Sequence, residues 1–129
     1  MITVLIRAVL AFLVICDCLI WAARADDLPS LKADYFAKAK AAKLANGRIV
    51  NCCGEYDAVK VRFIGHDHAR GLIIAEIIDV MISMNGKVGD VLTIPVEKVT
   101  VELYSPFDEP IAFINGANEP YCLSGPSGG

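Results

Sequence analysis

Histidine, the side chain used most often in acid–base catalysis, is scarce in this chain. Only two of the 129 residues are histidine, and both lie in residues 65–68. A Ser-His-Asp or Cys-His catalytic arrangement would therefore have to use this one segment. The sequence also lacks Gly-x-Ser-x-Gly, His-Glu-x-x-His, a phosphate-binding glycine loop and a dinucleotide fingerprint. We therefore expect a protein that is not an enzyme.

Basic residues are also in the minority. The chain has 12 Lys and Arg against 15 Asp and Glu, and residues 26–129 have ten against 14, a net charge of −4 with neutral histidine. Nucleic-acid-binding surfaces need clustered Lys and Arg. The charge balance therefore argues against a nucleic-acid partner.

The longest apolar run lies at the N-terminus. Arg7 is followed by unbroken apolar sequence over residues 8–16, and the Ala-Arg-Ala sequence ending at Ala25 has the small-x-small pattern that signal peptidase recognises. Residues 1–25 are therefore predicted to be a signal peptide cleaved after Ala25. This implies a periplasmic or secreted location and only transient contact with the membrane. An uncleaved anchor is the alternative, but Asp17 near the middle of the span would be costly in hydrocarbon.

Few cysteines remain after that cleavage. Cys16 and Cys18 leave with the signal peptide, and Cys52, Cys53 and Cys122 stay. An oxidising compartment favours a disulfide, and neighbouring cysteines rarely bridge each other. We therefore predict a bridge from Cys122 to Cys52 or Cys53, closing a loop of about seventy residues and contributing about 3–4 kcal/mol. The third thiol is either buried and inert, or able to exchange with the bridge or pair with another chain.

The mature chain is predicted to begin with a helix over residues 26–47. Pro29 is tolerated in a first helical turn, and Asn46-Gly47 is a natural stop. Apolar residues recur at helical spacing: Leu28, Leu31, Tyr35, Ala39 and Ala42. Because much of this stripe is alanine, we expect the helix to lie on the surface of the domain or to project from it.

Beyond the helix the apolar pattern changes to a period of two, which is typical of strands. Asn85-Gly86 is a strong turn signal, and the two prolines in residues 105–110 predict a loop. Strands are expected in six segments: residues 58–64, 72–80, 91–94, 99–104, 111–114 and 121–123.

These short strands predict a small β domain over residues 48–123, preceded by one helix. The expected architecture is a mainly β antiparallel barrel or sandwich, with an SH3-like barrel as the best model. The tail, residues 124–129, contains only Gly, Ser and Pro and is expected to be disordered.

Metal ligands are conceivable at two places, although we assign no cofactor and no metal site. On a continuing strand, His66 and His68 would project to the same side, as two ligands should, but the sequence supplies no third ligand beside them. A polar hairpin tip is the simpler interpretation. Cys52 and Cys53 could bind a soft metal through thiolates, yet they lack the Cys-x-x-Cys spacing of zinc and redox sites.

Part of the sequence resembles a group of small exported proteins of alphaproteobacteria. The resemblance rests on Cys-Cys-Gly-Glu-Tyr-Asp-Ala at residues 52–58, Ile-Pro-Val within residues 86–99, Ile-Ala-Phe-Ile at residues 111–114 and Tyr-Cys at residues 121–122. It covers residues 51–129. The resemblance implies a periplasmic location and carries over no catalytic or binding residue.

Together these features predict a small disulfide-tied periplasmic β domain that acts as a binding or interaction module. Its partner would be another envelope protein, and the oligomeric state is left open. The alternative function is thiol or metal handling by Cys52, Cys53 and Cys122, together with His66 and His68.

Overall fold

The computed structural model describes residues 29–126. The predicted signal peptide, residues 1–25, lies outside the described residues. The described residues from Ala33 onward belong to one compact unit. No helix in the described part of the chain is long and apolar enough to cross a membrane.

The described chain contains a helix followed by eight strands and two short 3-10 turns. Helix α1 comprises residues 29–39, and the 3-10 turns are Glu55–Asp57 and Val96–Lys98. The strands are β1 (Ala42–Leu44), β2 (Ile49–Val50), β3 (Ala58–Asp67), β4 (Leu72–Asp79), β5 (Val91–Pro95), β6 (Val99–Tyr104), β7 (Ile111–Ile114) and β8 (Pro120–Gly125).

The strands form one mixed sheet with the order β2-β1-β6-β8-β7-β3-β4-β5. Every pairing is antiparallel except that of β6 with β8. The two end strands, β2 and β5, do not pair, so the sheet is open. The mainly β domain with one preceding helix is confirmed. The expectation of a purely antiparallel barrel or sandwich is corrected, because the sheet is mixed and is not clearly SH3-like.

The parallel pair arises from the way β8 enters the sheet. A tight hairpin would make β6 and β7 neighbours. The loop of residues 105–110, which contains Pro106 and Pro110, instead leaves the width of one strand between them. The last strand, β8, then inserts between them, antiparallel to β7 and therefore parallel to β6.

Strand β7 is buried on both faces and divides the core in two. Ile111 and Phe113 belong to one apolar cluster, which also contains the buried residues of α1. Ala112 and Ile114 point the other way, into a second cluster built from β3, β4, β5 and β8. All four residues are completely buried.

Helix α1 forms part of this core, which corrects the expectation of a peripheral helix. Tyr35, Phe36 and Ala39 are buried, and the ring centroids of Tyr35 and Phe36 lie 6.1 and 6.2 Å from that of Phe113. Two aromatic rings thus supply the apolar area that the alanine-rich stripe lacks. Burying one Phe side chain completely stabilises the folded state by about 1.5–3 kcal/mol.

The helix is also shorter at its C-terminal end than the 26–47 expected. It ends at residue 39, and Ala42–Leu44 is a strand that pairs with β2 and β6. The Cys52 N–H donates to the Ala39 carbonyl over 2.9 Å, satisfying an acceptor at the helix end. The Leu44 N–H donates to the Arg48 carbonyl and closes the β1–β2 hairpin, in which Gly47 has a φ of +85°.

The tail begins later than expected. Ser124 and Gly125 belong to β8, and the Ser105 N–H donates to the Gly125 carbonyl over 2.8 Å. The Ser124 side chain is completely buried. The prediction of disorder from residue 124 is therefore wrong for these two residues, and residues 127–129 lie outside the described part.

Candidate functional site

The disulfide joins Cys52 to Cys122, which lie 70 residues apart in sequence and 5.4 Å apart between Cα atoms. Both cysteines are completely buried beneath α1, in the cluster that contains Phe113. The bridge ties the segment after β2 to the final strand. The predicted disulfide is therefore present, and Cys52 is the partner of Cys122.

Cys53 is the free cysteine of the described chain and is partly exposed. Its φ is +74°, in the left-handed region, so the chain turns sharply between a buried cysteine and an outward one. Its N–H donates to the Asn51 Oδ1 over 2.8 Å. Burial, and then the negative charge of Asp57, raise the pKa of the Cys53 thiol. This disfavours the thiolate, the form that attacks disulfides and binds metals.

The segment of residues 53–57, which we call the Cys-Cys turn, lies beside the loop that connects β4 to β5. The Asn85 Nδ2 donates to the Asp57 Oδ1 over 2.7 Å and to the Ile114 carbonyl over 2.8 Å. The Met84 N–H donates to the Tyr56 carbonyl over 3.1 Å. One amide side chain therefore joins the Cys-Cys turn, the β4–β5 loop and the end of β7.

A second set of bonds joins the β4–β5 loop to the β7–β8 loop. The Asn118 Nδ2 donates to the Asp90 Oδ2 over 3.0 Å, and the same oxygen accepts from the Lys87 N–H over 3.0 Å. Within the β7–β8 loop, the Asn115 Oδ1 accepts from the N–H groups of Ala117 and Glu119 over 2.9 and 3.0 Å. We call residues 53–57, 81–90 and 115–119 together the loop face.

Left-handed backbone is concentrated on this loop face. Positive φ occurs there at three residues with side chains, Cys53, Met81 and Asn118, and at Gly86 and Gly89. Such conformations cost about 1–3 kcal/mol at residues with side chains and persist only where neighbouring contacts hold them, as they often do at functional sites. The hydrogen bonds of Asn85 and Asn118 provide those contacts.

The loop face also carries large apolar side chains in solvent. The exposed fraction is 85% for Met84, 66% for Tyr56, 65% for Val88 and 48% for Ile82. Apolar side chains held in water on an ordered loop are typical of interaction surfaces. The loop face is therefore the strongest candidate site among the described residues.

The histidines lie elsewhere. His66 is near the end of β3, and His68 is in the turn that follows, with their ring centroids 3.9 Å apart. The eight residue-to-residue steps from Ala58 to His66 span about 26 Å of strand, which separates the histidines from the Cys-Cys turn. Across residues 29–126, no group of three or more His, Cys, Asp or Glu side chains could hold a metal ion. The structure thus brings the two histidines together but does not join them to Cys52 or Cys53.

Sequence reasoning missed the residues that organise the loop face. The sequence pattern assigns Asn85 only to an Asn-Gly turn and assigns no role to Asn118. The usable signal is the presence of Asn in both the β4–β5 loop and the β7–β8 loop, because its amide can donate and accept across a gap between loops.

Comparison of the chain with protein-family models, with curated proteins and with solved structures found no match.

Proposed function

We propose that this chain is an exported, disulfide-tied β domain that works as an interaction module and binds another envelope protein through its loop face. The observation that carries the proposal is the exposure of Tyr56, Met84 and Val88 on loops that hydrogen bonds hold in place. Loops held in this way lose little conformational freedom on binding, so more of the contact energy appears as affinity.

The charge of the loop face suggests the chemistry of the partner. Four acidic residues lie within its three segments, and one lysine: Glu55, Asp57, Asp90, Glu119 and Lys87. Tyr and Met are enriched at the centres of protein interfaces, whereas charged groups usually form the rim. The proposed partner surface is therefore an apolar patch bordered by Lys and Arg.

The envelope location belongs to the same proposal. The buried Cys52–Cys122 bridge is compatible with an oxidising compartment, since disulfides persist there. The apolar N-terminal segment and the resemblance to exported alphaproteobacterial proteins point to the same compartment.

Site-specific photo-crosslinking in cells that export the protein tests the binding role. A photoreactive residue replacing Met84 should form one major adduct with an envelope protein, whereas the same residue replacing the exposed Lys40 should not. Adding Tyr56→Asp and Val88→Asp should remove the adduct while the Cys52–Cys122 bridge still forms. Equal labelling from positions 84 and 40, or an adduct unaffected by the two Asp substitutions, would overturn the proposal.

Thiol or metal handling is the less favoured function. The raised pKa of the Cys53 thiol works against thiolate chemistry, and the complete burial of Cys52 and Cys122 hinders attack on their bridge. The neighbouring rings of His66 and His68 are the one observation in favour of metal binding. Titration of the protein with Zn²⁺ or Cu⁺, comparing wild type with His66→Ala/His68→Ala, decides this alternative.

A further inference from the structure

Strand β3 pairs with β4 along one edge and with the shorter strand β7 along the other. β7 pairs with β3 only at Ala58, Val59 and Lys60, and one more bond runs from the Val61 N–H to the Pro110 carbonyl. Beyond this point none of the described strands pairs with β3 on that side, while β4 continues along the other side as far as Asp67. We call residues 62–67 the β3 edge.

The β3 edge presents hydrogen-bonding groups in a definite order. Antiparallel strands alternate between residues bonded to one neighbour and residues bonded to the other. The N–H of Val61 points toward β7, so two residues later the groups of Phe63 point to the same, uncovered side. A register shift between Phe63 and Gly65 makes Ile64 an extra residue, and past this bulge the uncovered groups are those of His66.

Apolar side chains accompany these backbone groups, which pair with none of the described strands. Phe63 is 50% exposed and Ile64 is 49% exposed, although both lie within β3. Strand edges that remain unpaired and apolar are templates for pairing with another chain. The exposure of both residues therefore points to a partner strand.

We propose that the β3 edge pairs antiparallel with the β3 edge of a second copy of this chain, giving a two-fold symmetric dimer. This goes beyond the proposed binding role and uses a different surface. In the pairing, Phe63 lies opposite His66 of the second copy, and each exchanges both backbone hydrogen bonds with the other. Ile64 lies opposite Gly65, which has no side chain to obstruct it, and Arg62 lies opposite Asp67.

The bulge makes this pairing consistent on both faces of the sheet. Residues opposite each other on neighbouring strands must project to the same face. Phe63 pairs with Ala75 and His66 with Ile73, two β4 residues on one face. Arg62 and Asp67 pair with β4 residues on the other face, Glu76 and Leu72. Without the extra residue Ile64, each of these pairs would project to opposite faces.

Charge complementarity identifies the second copy as the occupant. Within one chain, the Arg62 Nη2 lies 2.6 Å from the Glu76 Oε2, and the Arg70 Nε lies 3.7 Å from the Asp67 Oδ2. Joining two edges places Arg62 against Asp67 of the second copy and generates a row of alternating charge, Glu76, Arg62, Asp67 and Arg70, on each side of the two-fold axis. Opposite charges directly across a strand pair are favourable, and like charges are unfavourable.

The test is the state of association of the mature, bridged protein by sedimentation velocity over a range of concentrations. A single strand pair buries little area, so the wild type should form a reversible, concentration-dependent dimer. Arg62→Asp makes the edge wholly acidic and Asp67→Arg makes it wholly basic. Each variant alone should be monomeric where the wild type dimerises, and an equimolar mixture of the two should dimerise again.

Matched controls carry the same charge changes away from the edge. Lys40→Asp and Glu119→Arg should leave the dimer unchanged. Recovery of the dimer on mixing also shows that both edge variants are folded. A wild-type chain that stays monomeric into the millimolar range overturns the proposal, whether the edge stays free or accepts a strand of another protein. A dimer that survives both charge reversals, or a mixture that stays monomeric, also overturns it.

Discussion

The hydroxyl groups of Tyr35 and Ser124 share a hydrogen bond across 89 residues of sequence, and both side chains are buried. Tyr35 comes from the helix and Ser124 from the last strand, so the bond joins the two ends of the described chain. Burial, only partly offset by the bond to Ser124, raises the pKa of Tyr35, so its hydroxyl stays protonated at neutral pH.

Removing both partners of this bond should cost less than the sum of the costs of removing each one alone. Tyr35→Phe leaves the Ser124 hydroxyl buried without its partner, and Ser124→Ala does the same to Tyr35, so each should lower the free energy of unfolding by about 1–3 kcal/mol. The double variant should be less destabilised than the sum of the two, as measured by urea denaturation. Tyr121→Phe, at a partly exposed tyrosine, is the matched control. Additive losses would contradict the pairing.

Loss of the disulfide should destabilise the domain strongly. The bridge closes a loop with a sequence separation of 70 residues. On the chain-entropy model, Cys52→Ser/Cys122→Ser should lower the free energy of unfolding by about 4 kcal/mol. Cys53→Ser should change it little, since that thiol makes no bridge. A similar loss for Cys53→Ser in urea denaturation would show that the bridge has been assigned to the wrong cysteine.

The pH dependence of Cys53 alkylation should reflect the raised pKa of its thiol in the folded protein. Burial and Asp57 raise the pKa of this thiol, so the iodoacetamide reaction of the folded protein should rise at higher pH than that of the unfolded protein. Asp57→Asn should move the profile only part of the way back, because burial is the larger cause. Glu119→Gln should not move it. A profile for folded wild type that coincides with the unfolded one would contradict the environment described for Cys53.

The raised pKa of the Cys53 thiol also makes the free energy of unfolding depend on pH. A thiol with a raised pKa in the folded state favours folding below its unfolded pKa, and that contribution is lost as pH rises through the folded pKa. The decrease in stability between these two pKa values should therefore be smaller in Cys53→Ser than in wild type.

Two glycines of the β4–β5 loop should respond differently to Ala. A Cβ on Gly86 would lie 2.7 Å from the Ile77 Cδ1 and 3.0 Å from the Ile114 Cδ1, and the φ there is +74°. Gly89 has a φ of +94°, but a Cβ there meets nothing within 4 Å. Gly89→Ala should cost only the backbone strain, about 1–2 kcal/mol, and Gly86→Ala about 1–3 kcal/mol more for crowding. Equal urea midpoints would contradict the packing of Gly86.

Sequence patterns predicted the longer strands well but not the arrangement of the sheet. The period-two pattern located β3, and continuous or nearly continuous apolar sequence located β4 and β7, because buried strand positions select apolar residues. It missed β1, which is three residues long and continues the helical spacing of Ala39 and Ala42. The parallel pairing of β6 with β8 depends on where the last strand inserts, and no local pattern encodes that position.

The candidate site was predictable only in part. The bridge from Cys122 to one of the two adjacent cysteines was predictable, but the choice of Cys52 depends on the contact of its N–H with Ala39 at the helix end. The alanine-rich stripe of the helix predicts a peripheral position. The burial of Tyr35 and Phe36 against Phe113 depends on a strand that lies more than seventy residues further along the chain.

Whether the protein is an exported, disulfide-tied domain is tested by intact-mass measurement and peptide mapping of the protein recovered from the periplasm, alkylated before and after reduction. The chain should begin at Asp26, carry a bridge between Cys52 and Cys122, and have one alkylated thiol, at Cys53, before reduction. A chain that keeps residues 1–25, or one in which Cys52 and Cys122 are alkylated without reduction, would contradict this prediction.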